Sequence, residues 1–195
     1  MAFDAYFLTA VLQEIRSRAT GARVEKIHQP SRDTVIFLLR CSEGREKLIF
    51  AANPTAPRLH LTSASPENPA EPPMFCMLLR KRLGSGKLLA IRQDGLERVL
   101  YLDFSCINEL GDVVQLTLAC EIMGRYSNLI LIDENGRIID AIRRVDLSDS
   151  SGRCILPSAQ FVPMPRPQLP NLGVLHQLRY CVAAKTAAIP FWRMP

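Results

Sequence analysis

Apolar residues at the start of the chain recur every three to five positions, which is the spacing of one face of an amphipathic helix. Polar residues such as Gln13 and Arg16 fall on the other face, and Gly21 follows as a stop signal. The pattern predicts a helix of about four turns from Phe3 to Arg18. It packs on a sheet in this prediction and buries Phe7, Val11, Leu12 and Ile15.

From Arg23 the apolar period shortens to two, which is typical of strands. Turn-forming residues interrupt the pattern at Pro30, Gly44 and Pro54, and a Ser- and Pro-rich segment occupies residues 63–73. The pair Asn135-Gly136 predicts a tight hairpin. We predict nine strands, at residues 24–28, 34–40, 47–51, 58–61, 87–93, 98–104, 113–120, 129–132 and 137–145.

The order of these elements predicts an α+β fold, because the strands form two runs and do not alternate with helices. A two-sheet β-sandwich or an open barrel with flanking helices would bury this pattern, whereas a doubly wound dinucleotide-binding fold is not expected. We expect this domain to span residues 1–165. Four prolines between Phe161 and Pro170 exclude a central strand, so residues 166–195 are predicted to be a linker and a truncated or atypical segment.

A second, short helix is predicted to begin near Pro72 and Pro73, where the missing N–H groups cost little. Its last turn, before Gly84, carries three consecutive cations, Arg80, Lys81 and Arg82. Cations at a helix C-terminus complement the helix dipole, and here they also make three candidate phosphate contacts. An ordinary solvated helix face explains an isolated run of three cations as well.

A second polar cluster, Glu121 to Asn128, interrupts the strand pattern at Gly124. Glycine allows another backbone or a phosphate to approach closely, and Arg125 follows it directly. A bulge with an exposed arginine is the structural alternative. Neither cluster has the residues of a nucleophile with its base or of a metal cage, so both suggest a surface that binds an anion.

The charge balance also favours a surface that binds an anion. The net charge is +5, and 19 of the 24 cationic residues are arginine. Guanidinium groups bind phosphate bidentately and stack on bases, so an arginine-rich basic domain is typical of nucleic-acid binding. An ordinary basic surface explains the composition equally well.

The cysteines and histidines indicate no redox or metal chemistry. Six cysteines are dispersed without a CxxC pair, and most have apolar neighbours, so we expect free thiols. We expect no cofactor, and we interpret His28 and His60 as structural because neither has metal-ligand partners nearby in sequence. The chain has no signal-like start and no apolar run near the ~20 residues that cross a bilayer, so the sequence predicts a soluble cytoplasmic protein.

The two polar clusters belong to a wider set of motifs that includes Met1–Asp4, Arg58–Thr62 and Asp94–Arg98. Together they resemble the N-terminal domain, often called NFACT-N, of the RqcH/NEMF family, whose bacterial members were long labelled fibronectin-binding proteins. The resemblance runs from residue 1 to about residue 162 in unbroken order. Family members are considerably longer, so we expect this chain to be a fragment or a truncated product.

The resemblance implies a fold similar to the N-terminal domain of formamidopyrimidine DNA glycosylases. It also implies a role in ribosome-associated quality control. Family members bind the large ribosomal subunit that still carries a stalled peptidyl-tRNA, recruit tRNA, and promote untemplated C-terminal tailing. In bacteria the tails are alanine, which implies tRNA-Ala as a partner. The domain would bind tRNA and the ribosome and would perform no chemistry of its own.

The same resemblance assigns tRNA-binding roles to Asp4, Glu97, Arg98 and Arg125. The family has an Asp-Arg pair where this chain has Glu97-Arg98, so the carboxylate here is one methylene further from the backbone. The residues alone allow other roles, with Glu97-Arg98 as a structural ion pair and Asp4 as a carboxylate at a helix start.

The fold and the older label of this family also suggest two other functions. A DNA glycosylase is suggested by fold likeness alone, but the chain begins Met1-Ala2-Phe3-Asp4 without the N-terminal proline nucleophile, and it has no four-cysteine zinc spacing. An adhesin that binds fibronectin would need an unconventional route to the cell surface.

Overall fold

The computed structural model describes residues 4–147 and 152–164 of the chain. Two α-helices, nine strands and one short 3₁₀ turn (Gly124–Tyr126) lie in these ranges. The predicted α+β class is confirmed. In chain order the elements are α1 (Ala5–Ala19), β1 (Arg23–Ser31), β2 (Thr34–Cys41), β3 (Gly44–Ala51), β4 (Arg58–Leu61), α2 (Met74–Leu83), β5 (Lys87–Gln93), β6 (Val99–Ile107), β7 (Val113–Glu121), β8 (Asn128–Ile132) and β9 (Ile138–Ala141).

The strands form one antiparallel sheet in the order β4-β3-β2-β1-β5-β6-β7-β8-β9. Its two halves meet at a single residue pair, Arg23 with Lys87. Instead of two separate sheets, the chain therefore builds one sheet with a narrow junction. Side chains from both halves enter the same core, among them Phe37 and Phe50 from the first half and Phe104 and Leu118 from the second.

Contacts far from the junction show that the second half folds back toward the first. The Arg143 guanidinium, just after β9, donates a 2.8 Å hydrogen bond from Nη2 to the carbonyl oxygen of Ala52, just after β3. A Cβ added at Gly124 would lie 3.8 Å from the carbonyl oxygen of Pro54. The sheet thus closes part of the way toward the predicted sandwich or open barrel. The predicted likeness to a glycosylase domain stays a prediction.

Helix α1 buries a stripe that is offset from the predicted one. Its buried residues are Leu8, Leu12, Ile15 and Ala19, whose spacing of three and four matches one helix face. Phe7 was predicted to be buried, but it is 42% exposed, because it falls to one side of that stripe. Val11 is half-buried at the edge of the core.

Helix α2 begins at Met74 after Pro73 and ends before Gly84, as predicted. Its side chains cover the edge of β1 that β5 leaves unpaired. The Arg80 Nε–H donates a 2.8 Å hydrogen bond to the carbonyl oxygen of Ile27 on β1. Arg80 therefore supplies a hydrogen-bond partner to a carbonyl at the strand edge, and its charge complements the helix dipole.

Strand β9 is shorter than the predicted strand 137–145. After Ala141 the backbone leaves the sheet, because the Asn128 side chain binds both the backbone amide and the backbone carbonyl of Arg143. Asn128 Oδ1 accepts from the Arg143 amide at 3.1 Å, and Asn128 Nδ2 donates to the Arg143 carbonyl at 2.8 Å. The hairpin before β9 is confirmed, with Gly136 at φ +75°.

The remaining predictions concern thiols, membrane crossing and the end of the chain. Among the described residues Cys41, Cys76, Cys106, Cys120 and Cys154 are free thiols. No helix in the described ranges has the length and apolar character needed to cross a bilayer. Cys181 and the predicted linker at 166–195 lie outside the described residues.

Candidate functional site

The turn between β5 and β6 carries two of the predicted site residues, Glu97 and Arg98. It closes with a 3.0 Å hydrogen bond from the Glu97 amide to the Asp94 carbonyl, and Gly95 supplies the positive φ of +56° that the turn requires. Glu97 is half-buried and Arg98 is exposed. Within the described part of the chain, the Arg98 guanidinium forms no hydrogen bond or ion pair, so it is available to a ligand.

The sheet brings Arg125 to the same end of the strands as Arg98. The Ile122 amide, directly after β7, donates a 2.8 Å hydrogen bond to the Arg98 carbonyl, directly before β6. The chain then turns at Gly124, with φ +57°, and presents Arg125 to solvent. Two arginines that are 27 positions apart in sequence thus lie on neighbouring connections at one sheet end.

The guanidinium of Arg125 is held by the next residue. Its Cζ lies 4.6 Å from the centre of the Tyr126 ring, and Nη2 donates a 2.5 Å hydrogen bond to the Tyr126 hydroxyl. This contact limits the rotamers of an otherwise exposed side chain. It lowers the entropy that Arg125 would lose on binding a ligand.

The side chain of Gln93, at the end of β5, links the start of α1, where Asp4 lies, to the β5–β6 turn. The Gln93 amide nitrogen donates to the carbonyl oxygens of Glu97 at 2.9 Å and of Ala5 at 3.3 Å. Its amide oxygen accepts from the Thr9 hydroxyl at 2.9 Å. The start of α1 and the β5–β6 turn are therefore fixed against each other.

The carboxylate of Asp4 also has a local structural role. Its Oδ1 accepts a 2.8 Å hydrogen bond from the Phe7 amide, so Asp4 caps the N-terminus of α1. The interpretation of Asp4 as a helix-start carboxylate is therefore correct. A cap does not prevent an exposed carboxylate from accepting further hydrogen bonds.

The backbone of the Arg125 connection is fixed by groups on both sides. The Met123 amide donates to the Ser127 hydroxyl at 2.9 Å. Arg143 donates from Nη1 to the Arg125 carbonyl at 3.3 Å and from Nη2 to Ala52. Arg143 and Gln93 were not among the predicted site residues, and nothing in their local sequence separates them from other polar residues beside a strand end.

The three cations of α2 do not join Arg98 and Arg125. Arg80 binds the β1 edge, and Lys81 forms a 2.5 Å ion pair with Glu109 at the β6–β7 turn. That turn lies at the far end of β6, about 30 Å from Arg98 along a nine-residue strand. Arg82 lines a separate pocket of about 330 Å³ near this turn. The basic turn of α2 therefore lies apart from Arg98 and Arg125.

His28 and His60, the histidines in the described part of the chain, show no sign of a metal site. His60 Nδ1 lies 2.7 Å from the carbonyl oxygen of Leu61. Burial lowers the pKa of His28, and the nearby cations of Arg80, Lys26 and Lys47 lower it further. In residues 4–147 and 152–164, His, Cys, Asp and Glu side chains form no group of three or more that could hold a metal ion.

The domain is thus an α+β fold with a folded-back antiparallel sheet and two exposed arginines, Arg98 and Arg125, on neighbouring connections at one end. Sequence comparison gives its family. The profile of the NFACT N-terminal and middle domains matches residues 4–183, and the chain belongs to this family. The match extends beyond residue 162, where the resemblance read from the motifs ends.

Curated relatives carry ribosome quality control names. The Rqc2 homolog RqcH of Bacillus subtilis is 41% identical over 162 residues, which cover 83% of this chain and 28% of the relative. The ribosome quality control complex subunit 2 of Saccharomyces cerevisiae is 31% identical over 144 residues, 74% of this chain and 13% of the relative. The chain thus spans less than a third of the length of these relatives.

Solved structures of similar domains have the same fold. The N-terminal domain of the fibronectin-binding protein PavA from Streptococcus pneumoniae superposes with a TM-score of 0.83 at 32% identity, covering 91% of this chain and 69% of that one. The fibrinogen-binding protein from Staphylococcus aureus gives a TM-score of 0.76 at 33% identity, covering 86% of this chain and 58% of that one.

Proposed function

We propose that this chain is the tRNA- and large-subunit-binding domain of a ribosome-associated quality control factor that promotes alanine tailing of stalled nascent chains in the cytoplasm. Relatives named as ribosome quality control factors support the general role. The observation that carries the site is the placement of Arg98 and Arg125 on neighbouring connections of one sheet end, both exposed.

Each group at this end has a chemical role in RNA binding. Arg98 and Arg125 donate to phosphate oxygens or stack on bases. The carboxylates of Glu97 and Asp4 accept hydrogen bonds from ribose 2′-hydroxyls or from N–H groups on base edges. None of these residues needs to act as an acid, base or nucleophile, because the ribosome supplies peptidyl transfer.

The direct test is to capture the RNA that this chain binds. The protein is affinity-purified from its own cells after crosslinking, and the bound RNA is sequenced, with an Arg98→Ala/Arg125→Ala variant as the matched control. The proposal predicts enrichment of tRNA, tRNA-Ala above all, together with 23S rRNA, and loss of the tRNA signal in the variant. Equal RNA recovery with both proteins would contradict the proposed site.

Fibronectin binding remains the alternative, because a similar solved structure carries that name. Immobilised fibronectin separates the two functions. Saturable binding to fibronectin with no tRNA in the crosslinked material would favour the alternative.

A further inference from the structure

A second basic region lies beside the Arg98–Arg125 end of the sheet, and no predicted site residue belongs to it. It is a groove of about 680 Å³ between the β1–β2 turn, the start of α2 and the end of β9. Its charged lining consists of Arg32, Arg143 and Arg144 with Asp33 and Asp140. We refer to it as the arginine groove.

Both carboxylates of the arginine groove are already engaged. Asp140 forms a bidentate ion pair with Arg144, with both N···O distances at 2.9 Å. Asp33 Oδ1 accepts from the hydroxyls of Ser31 at 2.9 Å and Thr34 at 3.2 Å. The groove keeps one more cation than carboxylate, and α2 adds the positive end of its dipole, with no side chain capping its N-terminus.

Arg32 is the cation that a ligand reaches most easily. It is exposed, and its guanidinium has no hydrogen bond or ion pair within residues 4–147 and 152–164. Met74, on the groove rim, is 84% exposed and offers an apolar contact for a sugar or a base.

The arginine groove is continuous with the Arg125 connection through one side chain. Arg143 lines the groove and donates to the carbonyl oxygens of both Arg125 and Ala52. The Ala52 amide in turn donates a 2.7 Å hydrogen bond to the Asp33 carbonyl in the β1–β2 turn. Ala52 and Arg143 thus link the turn that carries Arg32 to the connection that carries Arg125.

From this placement we infer that the arginine groove binds the sugar–phosphate backbone of the same RNA that contacts Arg98 and Arg125, with Arg32 as a phosphate ligand. The inference rests on the proposed function. A chain of phosphates suits the groove because three arginines line it, and RNA backbone binding depends on such clusters of cations.

The test measures the dissociation constant of fluorescently labelled tRNA-Ala for the full chain at several salt concentrations. Arg32→Gln is expected to weaken binding about fivefold near 0.15 M salt and to reduce the slope of log K against log salt by about 1. Arg32→Lys, which keeps the charge, retains the slope. Arg137→Gln is the charge-matched control, since Arg137 is exposed at the opposite, β8–β9 end of the strands.

The outcomes separate the groove from the proposed function. If Arg32→Gln binds with the wild-type affinity and slope while Arg98→Ala is weakened, the groove is not an RNA subsite and the proposed function stands. If wild type itself fails to bind tRNA, the proposed function fails and the groove fails with it. An equal effect of Arg32→Gln and Arg137→Gln on tRNA binding would also contradict an RNA subsite in the groove, because the effect would then reflect net charge alone.

Discussion

The Glu121 carboxylate and the Arg153 guanidinium form a bidentate ion pair inside the protein, at 2.8 Å for Nη2–Oε1 and 3.1 Å for Nη1–Oε2. Their side chains are 0% and 5% exposed. Arg153 Nε also donates to the Val162 carbonyl at 3.0 Å. The pair therefore ties the 153–162 segment to the end of β7, from which the Arg125 connection starts.

We expect Arg153→Met to lower the free energy of unfolding by about 3–5 kcal/mol, because it leaves a buried carboxylate without its cation. Chemical denaturation followed by circular dichroism measures the change. The double variant Glu121→Leu/Arg153→Met should recover most of the loss, since it removes both charges. A single variant as stable as wild type would mean that the pair contributes nothing to the fold.

The offset stripe on α1 gives a second stability prediction. Leu12→Ala should cost about 2–5 kcal/mol because Leu12 is 1% exposed in the core. Phe7→Ala should cost less than about 1 kcal/mol despite the larger side chain, because Phe7 is 42% exposed. Thermal melts of the two variants show which face of α1 is buried. A larger loss of stability for Phe7→Ala than for Leu12→Ala would place Phe7 in the core.

The local fold was predictable because its signals are local. Alternation of apolar residues predicted all nine strands, but some predicted ends were wrong. Strand β1 continues through Pro30 to Ser31, and β3 already begins at Gly44. The buried face of α1 was harder to predict, because Phe3, Phe7 and Leu8 fit several helical stripes. The position of the sheet selects Leu8. Likewise, the early end of β9 depends on Asn128, whose partner Arg143 is 15 positions away.

The candidate site was predictable only in part. The motifs identified Arg98 and Arg125 as candidates. The proximity of these two residues follows from the β6–β7 register, which pairs Val99 with Glu121. The basic turn of α2 lies at the other end of β6, where Lys81 pairs with Glu109. Gln93 and Arg143 act by contacts that exist only after folding, so no sequence pattern could have identified them.

The buried thiols make a chemical prediction. Burial raises the pKa of Cys106 to about 11, and it also raises the pKa of Cys76 and Cys120. A raised pKa leaves little thiolate at pH 8, and the thiolate is the reactive form. In the native protein these three cysteines should therefore resist a thiol reagent that modifies Cys154, while the denatured, unreduced protein should show all six. Recovery of two or fewer thiols after denaturation would indicate disulfides.

Gln93 is predicted to position the site without contacting RNA. Gln93→Glu keeps the size of the side chain but removes the amide donor to the Ala5 and Glu97 carbonyls. It should weaken tRNA binding about two- to tenfold, because the start of α1 and the β5–β6 turn, which carry Asp4 and Glu97, lose their fixed relation. Thr9→Val, which removes the hydroxyl that binds Gln93, is the companion variant and should act in the same direction. Wild-type affinity in both would contradict a positioning role.

We propose that Arg98 and its neighbours bind RNA rather than hold the fold together. The most direct measurement is the tRNA affinity of Arg98→Ala beside that of Arg137→Ala, together with the melting temperature of each. Arg98→Ala should lose about 1–3 kcal/mol of binding free energy and show a weaker salt dependence, while both variants melt like wild type. Normal tRNA binding by Arg98→Ala with a lowered melting temperature would show instead that Glu97-Arg98 is a structural element.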